Sequence, residues 1–108
     1  MSNKEKNVYI VNRGGHDFSM AERFGKLIFL SEGSINRYAV TAMYRQFSDI
    51  LSNSNSHDYI LPTGLSMMNV IAAAIFSFQH GRLNLLLFKE GDYITREIVI
   101  SELVKRKH

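Results

Sequence analysis

The hydrophobic positions of this chain fall into short apolar blocks separated by polar, often glycine-bearing breaks. Residues 8–11, VYIV, are β-branched and aromatic, which predicts a first strand. Residues 12–17, NRGGHD, follow as a loop, because the Gly14-Gly15 pair interrupts any regular element. Asp17 or Ser19 can cap a short helix that runs to Phe24 and is closed by Gly25. Residues 26–30, KLIFL, read as a second strand, and a continuous apolar run suits a strand covered on both faces. Between 35 and 51, Ile35, Ala39, Met43, Phe47, Ile50 and Leu51 keep helical spacing, with Ser34 placed to cap the helix.

After a polar connector at 52–57, residues 59–61 read as a third strand. Pro62-Thr63-Gly64-Leu65-Ser66 then turns the chain into a helix over 67–79, with Gly81 just past its end. Between Leu65 and Phe78 only Ser66, Asn69 and Ser77 are polar. A helix with so little polar face is buried on several sides. A membrane span needs about 20 apolar residues, and this run is shorter. The helix is therefore expected to pack on a sheet while something else covers its outer side. Ala72-Ala73-Ala74 allow a close approach there, which favours a homo-oligomer, most simply a dimer. Residues 83–88, LNLLLF, form a fourth strand; Lys89-Glu90-Gly91-Asp92 signals a hairpin; residues 93–100 return as an antiparallel edge strand.

Strands that alternate with helices imply parallel pairing with right-handed crossovers. The expected fold is α/β: a small three-layer, Rossmann- or flavodoxin-like sheet in the order 2-1-3-4-5, mostly parallel, with a C-terminal antiparallel edge strand. The first connection is short for a crossover, so an antiparallel pairing of strands one and two is the alternative. Residues 1–7 read as a flexible tail, 8–100 as a single domain and 101–108 as a basic tail.

Composition narrows the class. A chain of 108 residues supports one core, and 45% hydrophobic with 21% charged residues is the balance of a globular domain. The absence of cysteine excludes disulfides, thiolate catalysis and cysteine-bound zinc. Residues 1–7 lack a signal-peptide core, so no secretion or membrane segment is read and a cytoplasmic location is expected. The formal charge of +3 suits an anionic ligand, but without a dense basic patch a nucleic-acid partner is not expected.

In an open α/β sheet ligands bind beyond the carboxyl ends of the strands, where the strand order reverses. In the expected order the loops after strands one and three flank that point. The candidate ligand-binding residues are Asn12, Arg13, Gly14, Gly15, His16, Asp17, Thr63, Gly64 and Ser66. Backbone N–H groups and hydroxyls at the start of a helix suit an anion or a nucleotide, and Arg13 could clamp a phosphate. Thr63 or Ser66 would equally serve as a plain helix cap. No Walker lysine and no G-x-G-x-x-G fingerprint is present, and no cofactor is indicated. His16 and Asp17 could supply a general base or one metal ligand, but neighbours on a loop seldom orient each other and no nucleophile accompanies them. No catalytic or metal-ligand set is assigned. His57 and His80 stand at element ends and read as loop and helix-end residues; Tyr38, Tyr44, Met67 and Met68 read as packing.

The stretches NVYIVNRGGHDFSMAERFG, DYILPTGLSMMNVIAAAIF and HGRLNLLLF together resemble small α/β proteins encoded by tailed bacteriophages. The resemblance spans residues 7 to 100 and implies a phage origin and action in the host cytoplasm or a particle; it brings no active site with it. Three functions remain open. The first is a non-catalytic binding module with a nucleotide or anion site at the carboxyl ends of the strands. The second is a structural or interaction factor that targets a host or virion protein. The third is a small nucleotide hydrolase, resting on His16 and Asp17 alone.

Overall fold

The computed structural model describes residues 5–34, 36, 38–64 and 66–103. The tails expected at 1–7 and 101–108 therefore lie partly outside the described residues, as do Ile35 and Arg37 of the expected first helix. Five strands form one sheet: β1 (Asn7–Ile10), β2 (Lys26–Phe29), β3 (Tyr59–Leu61), β4 (Arg82–Lys89) and β5 (Asp92–Val99). Their order is β2-β1-β3-β4-β5. β1 pairs in parallel with β2 and β3, β3 pairs in parallel with β4, and β5 returns antiparallel to β4. The order 2-1-3-4-5 and the parallel placement of strand two hold, and the antiparallel alternative for strands one and two is set aside.

Alternation along the strands divides the core. Tyr9, Val11, Ile60 and Leu83 point to one face, where helices α1 (Val40–Leu51) and α2 (Ser66–His80) bring Met43, Phe47, Leu51, Met68, Ile71, Ala72 and Phe76. Val8, Ile10, Leu61, Leu86 and Tyr93 point to the other, where among the described residues a 3-10 helix (Ser19–Phe24) with Phe18 and Ala21 covers them. The third layer is thus one short segment. It suffices because the first connection crosses a single strand spacing, from β1 to its neighbour β2.

Local chemistry explains three departures from the expected elements. The helix expected from Ile35 starts at Val40, and Ala39, not Ser34, stands at its cap without a side-chain bond. The chain ahead of it is held in a turn: Asn36 Oδ1 accepts the Tyr38 N–H at 2.9 Å and the Asn36 carbonyl accepts the Ala39 N–H at 3.0 Å. Such side-chain turns compete with helix. β2 is only half buried, not covered on both faces, because it is an edge strand. The chain after β5 coils at Ile100 into one turn, α3 (Ile100–Leu103), whose first N–H reaches the Gly81 carbonyl at 3.0 Å. Gly25 is obligatory where the 3-10 helix meets β2, since a Cβ there would stand 2.5 Å from the Lys6 carbonyl oxygen. Glu90 and Gly91, both at positive φ, close the β4–β5 hairpin.

The amino ends of the strands are tied by Asp58, whose residue is 0% exposed. Its carboxylate accepts the Asn7 N–H at 2.9 Å, the Asn55 N–H at 2.9 Å and the Asn7 amide at 3.4 Å. Its carbonyl accepts Asn84 Nδ2 at 2.8 Å. One residue therefore joins β1, the loop before β3, and β4. Replacing Asp58 by Ala should cost about 3 kcal/mol, because it orphans N–H donors that a charged acceptor satisfied. Urea unfolding checks this, and a loss below about 1 kcal/mol would remove Asp58 from this role.

His80, at the end of α2, hydrogen-bonds through Nε2 to the Ser54 hydroxyl at 2.8 Å and stacks near Phe76 at 4.5 Å. Burial lowers its pKa below 6.5, and the nearby Asp58 charge only partly opposes this. The unfolded chain then takes up the proton more readily than the folded one. Stability should be flat above neutral pH and should fall as the pH drops through 6.5 toward the lower folded value. Denaturation midpoints between pH 7.5 and 5 (roughly the histidine range) check this, and His80→Gln should flatten that part of the profile.

Candidate functional site

Because β1 and β3 are parallel neighbours, the loops that leave them emerge at the same end of the sheet. They flank a cavity of about 250 Å³. His16, Asp17 and Phe18 line it from the first loop, and Leu61, Pro62, Thr63 and Gly64 from the third strand and its turn. Phe88 at the end of β4 and Tyr93 at the start of β5 complete it. Four of the nine residues expected from the sequence thus share one concavity: His16, Asp17, Thr63 and Gly64.

The other five are placed differently. Arg13 is not among the lining residues: its guanidinium lies over the Phe29 ring, 3.9 Å from the centroid, and faces Glu32 at 3.7 Å. Asn12 is buried and structural. Its amide donates to the Ser31 hydroxyl at 2.9 Å and the Gly33 carbonyl at 3.1 Å, while Ser31 Oγ donates to the Val11 carbonyl at 2.7 Å. This stitches the loops after β1 and β2 together. Gly14 supplies a positive φ in the first loop, and Gly15 is exposed beside it. Ser66 opens α2 as an exposed residue and is not among the cavity's lining residues.

Asp17 turns the first loop. Its Oδ1 accepts the Ser19 N–H at 2.9 Å, and this bond holds its carboxyl below the usual aspartate range. Tyr93, nearly buried in the opposite wall, has its phenol pKa raised by burial and then by the Asp17 charge. Phe88 meets Tyr93 edge to face at 5.2 Å and is 63% exposed. His16 stands edge-on to Phe18 at 6.1 Å. The cavity is therefore walled largely by rings, and its charged group is a carboxylate.

Asn69, one turn into α2, shapes the other wall. Its Oδ1 accepts the Thr63 N–H at 3.0 Å and its Nδ2 donates to the Thr63 carbonyl at 2.6 Å. This side chain clamps both backbone groups of Thr63 and so fixes the turn ahead of α2. The Thr63 hydroxyl is buried and makes no hydrogen bond among the described residues. Asn69, Phe88 and Tyr93 were missed in the sequence. Phe88 and Tyr93 flank the hairpin signal, and Asn69 was legible only as a polar exception in an apolar helix. No group of three or more metal-binding side chains occurs among the described residues.

A family model described as Phage Pam3 gp32-like protein matches residues 6–101. The chain belongs to the phage Pam3 gp32-like family. The phage resemblance of the sequence thus holds over nearly the whole chain. Comparison with curated proteins and with solved structures returned no match. No helix among the described residues is long and apolar enough to cross a membrane.

Replacing Asn69 by Ala should leave both backbone groups of Thr63 without this partner. The expected cost is about 1–2 kcal/mol, the range of a lost cap. Backbone amide shifts should move at Thr63 and Gly64, while the Asp58 cluster at the far end of the sheet should not respond. An unchanged unfolding midpoint would deny Asn69 this part.

Proposed function

We propose that this phage-family protein is a non-catalytic binding module that seats a small planar or apolar group in the cavity at the carboxyl end of the sheet. The observation that supports it is the meeting of rings from three separate segments, Phe18, Phe88 and Tyr93, around one concavity. Its volume of about 250 Å³ falls below the roughly 300–1,000 Å³ of drug-sized sites. A base or a single side chain of a protein partner fits such a space. With Asp17 on the wall and Arg13 held elsewhere, a nucleotide would enter base first, its phosphates outside.

The test uses thymidine, thymidine monophosphate and N-acetyl-tryptophanamide as probes, read by amide chemical shifts. Saturable shifts at Gly64, Phe88 and Tyr93 are expected, with thymidine monophosphate no tighter than thymidine at this site. Phe88→Ala should weaken binding by about 5-fold or more, since a stacking contact is worth about 1–3 kcal/mol. Absence of shifts at these residues with all three probes would overturn the reading.

A second reading, contact with another protein surface, rests on α2. Met67, Val70, Ala74 and Phe78 recur along one side of that helix and are exposed, Val70 by 61% and Phe78 by 90%. Ala72 is buried and Ala73 half buried against the core, so of the three alanines only Ala74 belongs to the outer side. The stripe carries no charge, and a second copy presenting the same stripe would meet no like-charge repulsion. Sedimentation at micromolar concentration should show a dimer that Val70→Glu converts to monomer. A wild-type monomer of 12.4 kDa would remove this reading.

A further inference from the structure

We propose that a groove at the amino end of the sheet, opposite the ring-lined cavity, binds a phosphate group. The groove encloses about 360 Å³ and is lined by residues from four separate places in the chain: Lys6 before β1, His57 before β3, Arg82 at the start of β4 and Arg96 near the end of β5. A single carboxylate, Glu97, opposes the three permanent cations.

Arg82 is held before any ligand arrives. Its Nε donates to Asn84 Oδ1 at 3.2 Å, and its terminal nitrogen pairs with Glu97. Asn84 is itself buried, with its amide locked on the carbonyls of Ser56 at 2.7 Å and Asp58 at 2.8 Å. A buried neutral amide thus helps to fix the guanidinium, whose charge Glu97 partly offsets. Lys6 lies over the Tyr59 ring, its Nζ 5.5 Å from the centroid. Arg96 bends back to the Thr95 carbonyl at 2.8 Å, keeping its head at the sheet edge.

Among the described residues neither Lys6 nor Arg96 is in an ion pair. Pre-positioned guanidinium and ammonium groups around a concavity match an oxyanion with several acceptor oxygens. Among the described residues, the ring-lined cavity has no lysine or arginine on its walls. The ligand chemistry is a phosphate group, whether on a small molecule or along a single strand of nucleic acid. This site does not depend on the ring-lined cavity being occupied.

The experiment is an amide-shift titration of the full chain with inorganic phosphate at constant ionic strength, chloride making up the balance. Saturable shifts at Lys6, His57, Arg82 and Arg96 are expected. Lys6→Gln and Arg96→Gln, both on exposed side chains, should each weaken binding about tenfold, the loss for one charge-assisted hydrogen bond. Arg13→Gln should leave it unchanged, and Arg82→Lys, which keeps the charge but not the fork, should weaken it too. Shifts that do not saturate, that appear elsewhere, or that survive both glutamine variants would overturn the proposal. Two further arms identify the source. Oligothymidylate binding far more tightly than thymidine monophosphate, with a steep salt dependence, supports a strand; equal binding supports a small phosphorylated ligand.

Discussion

The buried carboxylate of Asp58 is the interaction on which the remainder of the structure leans. A charge removed from water is costly unless its acceptor sites are filled. Here three N–H groups fill them, and they come from Asn7 and Asn55, far apart in the chain. Satisfying the charge therefore forces β1 and the loop before β3 together at one register. β3 is only Tyr59–Leu61, so it has few ladder bonds of its own to place it. The link from the Asp58 carbonyl to Asn84 extends the same constraint to β4. Tyr9 feels the charge too: burial and then Asp58 raise its phenol pKa.

This arrangement makes the two ends of the sheet unlike. At the amino end, side-chain amides and a carboxylate lock the strands together, and the same locks hold Arg82 and position His57 around a basic groove. At the carboxyl end, the loop after β1 turns on Asp17, the turn after β3 is held by Asn69, and the walls between are rings. Both ends are thus held by side-chain hydrogen bonds, and the connections carry the side chains that line the concavities, as is common for loops on a rigid scaffold.

The layers are also unequal. Two helices cover one face of the sheet, while the 3-10 helix and Phe18 cover the other. With the sheet face taken by Met68, Ile71, Ala72 and Phe76, the opposite side of α2 keeps Met67, Val70 and Phe78 in water. Single exposed apolar residues are ordinary on protein surfaces; here three recur along one helix.

The sequence by itself located the five strands and the two long helices and favoured the order 2-1-3-4-5, with the loops after β1 and β3 at one end of the sheet; it left the pairing of strands one and two open. Apolar blocks such as 8–11, 59–61 and 83–88 are too short for helices, the stretch 66–80 is too long for a strand, and alternation of the two leaves few topologies. It also brought His16, Asp17, Thr63 and Gly64 to one neighbourhood, because parallel strands send their following loops to the same end. What the tertiary structure decided was where side chains go. Arg13 was free in the sequence to reach a phosphate; the edge position of β2 exposed Phe29 and offered it a ring and Glu32 instead. Phe88 and Tyr93 face each other across the hairpin that the sequence signalled, but it was the place of β4 beside β3 that brought the pair next to the turn after β3. The basic groove needed Lys6, His57, Arg82 and Arg96 to converge from four segments, and charges scattered along a chain carry no mark of that until the sheet brings them together.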